Sequence, residues 1–174
     1  CPICGARVVR ENDEAAMRCS GNECPAQLQR NIEHFVSRDA MDIDGLGPAI
    51  IEKLLEKKLI AATADLYTLK KEELSGLDKL GEKSASNLIS AIESSKNRHL
   101  ANLIYALGIR QVGLGAAKTL AAHFKSLDAL IIADMTTLSE IDDIGPVTAQ
   151  SIKDYFAEPQ NLENIERLKS CGVN

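Results

Sequence analysis

The feature that most constrains this chain is a glycine-centred segment that recurs four times. IDGLGPAIIEKL (43–54), LDKLGEKSASNL (77–88), IRQVGLGAAKTL (109–120) and IDDIGPVTAQSI (141–152) share one order: an apolar residue, two variable residues, a second apolar residue, a glycine, then an apolar-periodic run. The aligned glycines are Gly47, Gly81, Gly113 and Gly145, spaced 34, 32 and 32 residues apart. A similar period marks tetratricopeptide solenoids, but those repeat aromatic and alanine positions on helix faces, whereas here the likeness centres on a turn. After each glycine the pattern turns helical: Ile50, Ile51, Leu54 and Leu55 in the first segment, and Ala85, Leu88, Ile89 and Ile92 in the second, share one face. The unit this predicts is helix, tight hairpin, helix. Composition agrees, since aromatics are only 3% of a chain rich in Leu, Ile, Ala, Glu and Lys.

The chemistry of such a unit lies in its hairpin. A glycine there permits backbone conformations or close approaches closed to other residues. The first turn of the helix that follows presents unpaired N–H groups and the positive end of its dipole, so each corner is an anion site. Four corners at near-constant spacing suit the regular phosphates of a nucleic-acid duplex, read without contact to bases. A formal net charge of −5 excludes a general electrostatic hold on nucleic acid, but not a local grip through positioned backbone groups and a few cations. The candidate contact residues are Gly45, Gly47, Lys79, Gly81, Lys83, Arg110, Gly113, Gly115, Lys118 and Gly145. Only the first hairpin has a glycine two positions before the aligned one; the equivalents of Gly45 are Lys79, Gln111 and Asp143. Hairpins two and three carry the cations Lys79, Lys83, Arg110 and Lys118, whereas hairpin four carries Asp142 and Asp143. Hairpins two and three are therefore expected to dominate binding.

Four of the five cysteines fall within the first 24 residues, as C-P-x-C, then fourteen residues beginning with Gly5, then Cys19 and Cys24 followed by Pro25. Two thiol pairs separated by a short loop match a closed tetrahedral Cys4 zinc site of structural type, with ligands Cys1, Cys4, Cys19 and Cys24. Gly5 allows a tight turn around the metal, Pro2 and Pro25 stiffen the knuckles, and the segments on either side of Asn12-Asp13 are expected to form a short β-hairpin. Two disulfides or a redox C-x-x-C are the competing readings. A redox pair belongs beside a βαβ pattern, and neither alternative explains a second pair at this separation. Iron fits the same cage, and spacing does not discriminate it from zinc. His34 reads as a helix-surface or capping residue, and Cys171 as a free thiol near a helix end.

Other motifs fail. VGLGAAKTL lacks the glycine before lysine that a P-loop needs, and it has Lys118 where a dinucleotide fingerprint needs its third glycine. His34, His99 and His123 are scattered, there is no H-E-x-x-H, and no catalytic constellation is visible. No apolar run approaches a membrane span, so a soluble protein without membrane partners is expected. The chain opens at Cys1, inside a cysteine pair and without an initiator Met, which predicts that it is cut from something longer.

The run HFVSRDAMDIDGLG (34–47) after a four-cysteine finger ending in CPAQ closely resembles the C-terminal half of bacterial NAD-dependent DNA ligases, and YALGIRQVG (105–113) resembles that family's third hairpin. The resemblance covers essentially the whole chain. It implies double-stranded, nicked DNA as partner and a cytoplasmic, nucleoid-associated location. It also implies upstream adenylation and oligonucleotide-binding-fold domains in the same chain, and NAD and Mg²⁺ as cofactors of the full-length enzyme only. The adenylated lysine of the family lies in K-x-D-G, whereas the one Asp-Gly pair here, Asp44-Gly45, follows Asp42-Ile43, so the fragment is expected to be non-catalytic.

The expected fold class is mainly α: a Cys4 zinc finger over residues 1–28, then four tandem helix-hairpin-helix units over residues 29–174, in a monomer. AQLQRNIEHFV is expected to join the two as a helix. Adjacent hairpins are expected to pack in pseudo-symmetric pairs across a minor groove. Helix starts are expected at Ser126 and at Thr137, whose T-x-x-E with Glu140 reads as a capping box. The functions that remain in competition are a hairpin module of another DNA-repair protein and a zinc-finger adaptor that binds protein.

Overall fold

The computed structural model describes residues 1–10, 17–19, 24–77 and 80–173. Two three-residue strands, β1 (Val8–Arg10) and β2 (Met17–Cys19), pair antiparallel with Val8 opposite Cys19, Val9 opposite Arg18 and Arg10 opposite Met17. The expected finger hairpin is therefore present in its strands, while its Asn12-Asp13 turn lies outside the described residues. The rest is helical: α1 (Pro25–Val36), α2 (Pro48–Glu56), a 3-10 helix (Thr63–Thr68), α3 (Lys71–Ser75), α4 (Glu82–Ser95), α5 (Leu100–Ala106), α6 (Leu114–Phe124), α7 (Leu127–Ile132), α8 (Met135–Ser139), α9 (Pro146–Ala157) and α10 (Pro159–Ser170). Among the described residues no helix is long and apolar enough to cross a membrane.

Four of the five prolines set helix starts. Pro25, Pro48, Pro146 and Pro159 each stand at the first helical position, where φ is already suitable and no N–H is needed. The expected linking helix is α1. The four predicted units are α1–α2, α3–α4, α5–α6 and α8–α9, each a packed pair.

The repeat is also a burial repeat. Residues four before, one before, four after and seven after each aligned glycine point inward: Ile43, Leu46, Ile51 and Leu54 in the first unit, and Ile109, Val112, Ala117 and Leu120 in the third. The fourth unit repeats this with Ile141, Ile144, Ala149 and Ile152. Ala85, Ala117 and Ala149 are fully buried where the first unit has Ile51, so the helices of those units approach on a small residue. Each buried Leu or Ile contributes about 1.5–3 kcal/mol, and this inner set is what closes each pair.

Bonds across long sequence separations brace the units. The Arg98 guanidinium donates to the carbonyls of Arg38 (2.9 Å) and Ala40 (3.3 Å) and lies 3.7 Å from the Asp42 carboxylate, while the Asn102 amide donates to the Asp39 carbonyl at 2.8 Å. The segment leading into hairpin one is thus held by the start of unit three. At the far end, Asn164 of α10 accepts from the Ala64 amide at 3.1 Å and donates to the Thr63 hydroxyl at 2.8 Å, and Arg167 pairs with Asp65. Buried Tyr67 and Ser95 share a hydroxyl bond of 3.0 Å that ties the 3-10 helix to α4.

One capping expectation is corrected. Ser126 caps α7 as expected, accepting from the Ala129 amide at 3.2 Å, but Thr137 does not start a helix. α8 begins at Met135 because the Asp134 carboxylate accepts from the Thr137 amide at 2.7 Å, leaving Glu140 at the C-terminal end. An ionised carboxylate three residues upstream outcompetes a threonine hydroxyl for the same first turn.

Asp65 is where the fold gains sensitivity to acid. Burial alone would raise its pKa, but the Ala61 amide (2.7 Å), the Arg167 guanidinium and the Ala62 amide (2.8 Å) together hold it below the ordinary carboxylate value. A depressed folded pKa contributes stability above the unfolded value, and that stability is lost as pH falls through the folded one. Asp65→Ala is expected to cost about 1 kcal/mol at neutral pH in denaturant titrations. The difference from wild type should vanish once the pH lies below the ordinary carboxylate range; a difference that persists there would show that the carboxylate charge is not the source.

Candidate nucleic-acid interface and metal centre

The four N-terminal cysteines are brought together. Cys1 and Cys4 flank a tight turn in which the Gly5 amide bonds the Cys1 carbonyl at 2.9 Å, with Gly5 at φ +71°, a conformation that favours glycine. Cys19 ends β2, and Cys24 is the N-cap of α1. All four Sγ atoms lie within 4.8 Å of one another; Cys1 and Cys24 are 3.8 Å apart and Cys4 and Cys19 3.3 Å. A disulfide would need about 2.05 Å, so none of the four is in a disulfide. Four sulfurs about 2.3 Å from a zinc ion stand roughly 3.8 Å apart, so this donor set fits a tetrahedral metal with no open position. The backbone amide of Gln27, in the first turn of α1, lowers the Cys24 pKa against the opposing effect of burial and so favours the thiolate a metal requires. The Gln27 side chain also donates to the Cys19 carbonyl at 2.6 Å, which joins the second knuckle to the helix.

Each hairpin is built around a four-residue turn. The Leu46 amide bonds the Ile43 carbonyl (3.4 Å), Val112 bonds Ile109 (3.0 Å), and Ile144 bonds Ile141 (3.1 Å). The third residue of each turn has positive φ: Gly45 at 86°, Gln111 at 62° and Asp143 at 67°. Positive φ at that position alone defines a type II turn. Gln111 and Asp143 thus adopt, at a cost of about 1 kcal/mol each, the conformation that Gly45 adopts freely. In hairpin two the Leu80 amide bonds the Leu77 carbonyl at 3.0 Å, and Asp78 and Lys79 lie outside the described residues.

The aligned glycines do not use the backbone freedom that the sequence reading allowed them. Gly47, Gly81, Gly113 and Gly145 are the N-caps of α2, α4, α6 and α9, with φ between −73° and −80° and ψ between 166° and 178°. That is extended backbone open to any residue, so no special conformation requires glycine there. Nor does internal packing, because a Cβ added at any of the four would meet no atom within 4 Å. With no side chain, none of the four provides a cap, whereas α7 and α8 are capped by Ser126 and Asp134. The result is four exposed helix starts without a side-chain cap, each with the positive dipole end at its glycine, although at α2 and α9 the first position is a proline with no N–H to offer.

The predicted cations occupy unequal positions. Lys83 is exposed at the second residue of α4, inside its first turn. Arg110 is half-buried in the turn of hairpin three, and Gly115 is the second residue of α6, also with open space around it. Lys118 is the fifth residue of α6, past the first turn. In hairpin one Asp44 is exposed and accepts from the Gly45 amide at 3.0 Å; in hairpin four Asp142 and Asp143 are exposed. Sequence reasoning missed Gln27, Arg98, Asn102 and His34. His34 is not a surface or capping residue: it is half-buried, with Nε2 2.7 Å from the Tyr105 carbonyl oxygen. No periodicity signals a side chain that bonds a distant main chain.

Residues 1–26 match the family model described as the NAD-dependent DNA ligase C4 zinc finger domain. Residues 37–94 match a SAM-like helix-hairpin-helix tandem, and residues 102–165 a helix-hairpin-helix motif. The whole chain aligns with proteins named DNA ligase from Thermoanaerobacter sp. (strain X514), 53% identical over 174 residues, and from Carboxydothermus hydrogenoformans, 55% identical over 174 residues. A DNA ligase from Methylococcus capsulatus is 50% identical over 175 residues. The chain spans 26% of the length of each of these relatives. With a closed four-cysteine cage of zinc-finger type followed by tandem hairpins, and end-to-end similarity to one region of these longer proteins, the chain belongs to the zinc-finger and helix-hairpin-helix region of the NAD-dependent DNA ligases.

Proposed function

We propose that this region grips duplex DNA through its sugar-phosphate backbone, without reading sequence, as part of an NAD-dependent ligase that seals nicks. The observation that carries this reading is the set of four N-cap glycines that neither conformation nor internal packing requires. Space kept clear above an uncapped helix start is space for an external anion, and on a duplex the anions recur regularly. The contacts are assigned to Gly45, Gly47, Lys79, Gly81, Lys83, Arg110, Gly113, Gly115, Lys118 and Gly145, with hairpins two and three supplying most of the affinity. Zinc held by Cys1, Cys4, Cys19 and Cys24 shapes a finger over residues 1–28 and contributes folding free energy rather than chemistry. Nucleotidyl transfer, with its NAD and Mg²⁺, belongs to other domains of the longer chain. The single Asp-Gly pair, Asp44-Gly45, lies in the turn of hairpin one.

Binding to a short duplex should weaken steeply with salt. Lys83→Gln should lower affinity and reduce the slope of log K against log salt by about 0.9, the share of one phosphate contact. Asp142→Asn with Asp143→Asn should leave affinity unchanged or raise it. Losses from hairpin one or four that match those from two and three would reject the unequal division, and salt-insensitive binding to a protein instead of duplex would reject the function. Gly113→Ser is a second test. Serine is as good an N-cap or better, so stability should stay level or rise by a few tenths of a kcal/mol, while duplex affinity falls about tenfold as the side chain fills the phosphate's place. Chelation of one equivalent of zinc should abolish amide protection in β1 and β2 while the hairpin helices keep theirs, as followed by hydrogen exchange.

A further inference from the structure

The hairpins can share one duplex only if their spacing is fixed, and His34 stands between the helices that lead into the first and the third. His34 lies in the last turn of α1, the helix that starts at the metal ligand Cys24 and leads into hairpin one. Its Nε2 is 2.7 Å from the carbonyl oxygen of Tyr105, 71 residues away in the last turn of α5, the helix that leads into hairpin three. With the proton on Nε2 the ring donates to that oxygen. The same oxygen accepts from the Gly108 amide at 3.1 Å, and the imidazole meets the Tyr105 ring edge-on at 4.7 Å. Gly108 has φ +67°, and a Cβ there would stand 3.5 Å from His34 Cδ2, so the chain turns out of α5 directly against the imidazole.

The bonds from Arg98 and Asn102 run the other way, from unit three to the carbonyls of Arg38, Asp39 and Ala40. Both sets end on main-chain oxygens, so what they fix is backbone position. We infer that His34 is a positioning residue: by holding the end of α5 it sets where hairpin three stands relative to hairpin one. The inference rests on the duplex-binding reading for its affinity readout alone. One helix of twelve residues, capped by the metal ligand Cys24, then carries the pin and the approach to hairpin one, so the finger and two corners move as a unit.

The test compares His34→Phe, which keeps a ring against Tyr105 but has no donor, with His34→Gln, whose amide restores one near the position of Nε2. Both are measured zinc-loaded and well below their melting temperatures. In DNA-free protein, the amide resonances of Ile109 to Ala117 are expected to move in His34→Phe and to return toward wild type in His34→Gln. Duplex affinity is expected to fall about tenfold in His34→Phe and to recover to within about twofold in His34→Gln. A residue that merely fills space would leave His34→Phe at wild type in both measurements, and that result overturns the proposal. If wild-type protein does not bind duplex, it is the function that fails, and the amide shifts alone decide the role of His34. Should His34→Phe not fold, His34→Asn, whose shorter amide falls short of the Tyr105 carbonyl, takes its place against the same two outcomes.

Discussion

A backbone amide in the first turn of a helix has no carbonyl of its own helix to bond, and it must be satisfied by a side chain, by water or by something from outside. Two groups of helices in this chain differ in how they meet that requirement. At α7 and α8 the sequence provides Ser126 and Asp134, and the helix starts are closed internally. At α2, α4, α6 and α9 it places glycine at the capping position and leaves the amides to solvent or to a partner. The burial repeat then acts as the frame for these open starts. Ile43, Leu46, Ile51 and Leu54, with their counterparts in the other units, face inward and close each helix pair.

The repeat and the cysteine cage were legible in the sequence because each follows a fixed interval: burial recurs with the helical period, and a metal cage confines the separation of its ligands. The reason for the glycines was legible only in part. A sequence cannot separate a glycine that must adopt positive φ from one in ordinary extended backbone, and in the structure Gly45 has positive φ whereas Gly47 is extended with open space around it. That Gln111 and Asp143 reach the conformation of Gly45 shows packing on either side of the turn overriding local preference. The T-x-x-E pattern at Thr137 misleads because the Asp134 carboxylate, three residues upstream, takes the Thr137 amide and starts the helix earlier. His34, Arg98 and Asn102 act on main-chain oxygens more than fifty residues away, and no local pattern encodes such partners.

The electrostatic character of the protein follows from the same division. An acidic chain of net charge −5 is a poor polycation, yet the dipole at an uncapped helix start is independent of side-chain charge and acts over the length of a single turn. Acidic residues can therefore populate the remaining surface, which preserves solubility and limits indiscriminate attraction to nucleic acid. Lys83 and Arg110 sit where a short-range field would be reinforced, and Asp142 and Asp143 where it would be weakened, so corners of the same shape need not be of the same strength.

The return of α10 to the 3-10 helix gives the array a topology unlike that of an open stack. In a solenoid each repeat touches only its neighbours, so units can be added, removed or melted one at a time. Here Asn164 and Arg167 grasp residues 63–65 across about a hundred positions of chain, closing hairpins two, three and four into a loop. Such closure raises the mean sequence separation of contacts, which slows folding but makes its completion concerted. Copy number is thereby locked: an isolated hairpin lifted from this protein leaves its brace behind, and a fifth inserted between the others would pull the ends apart.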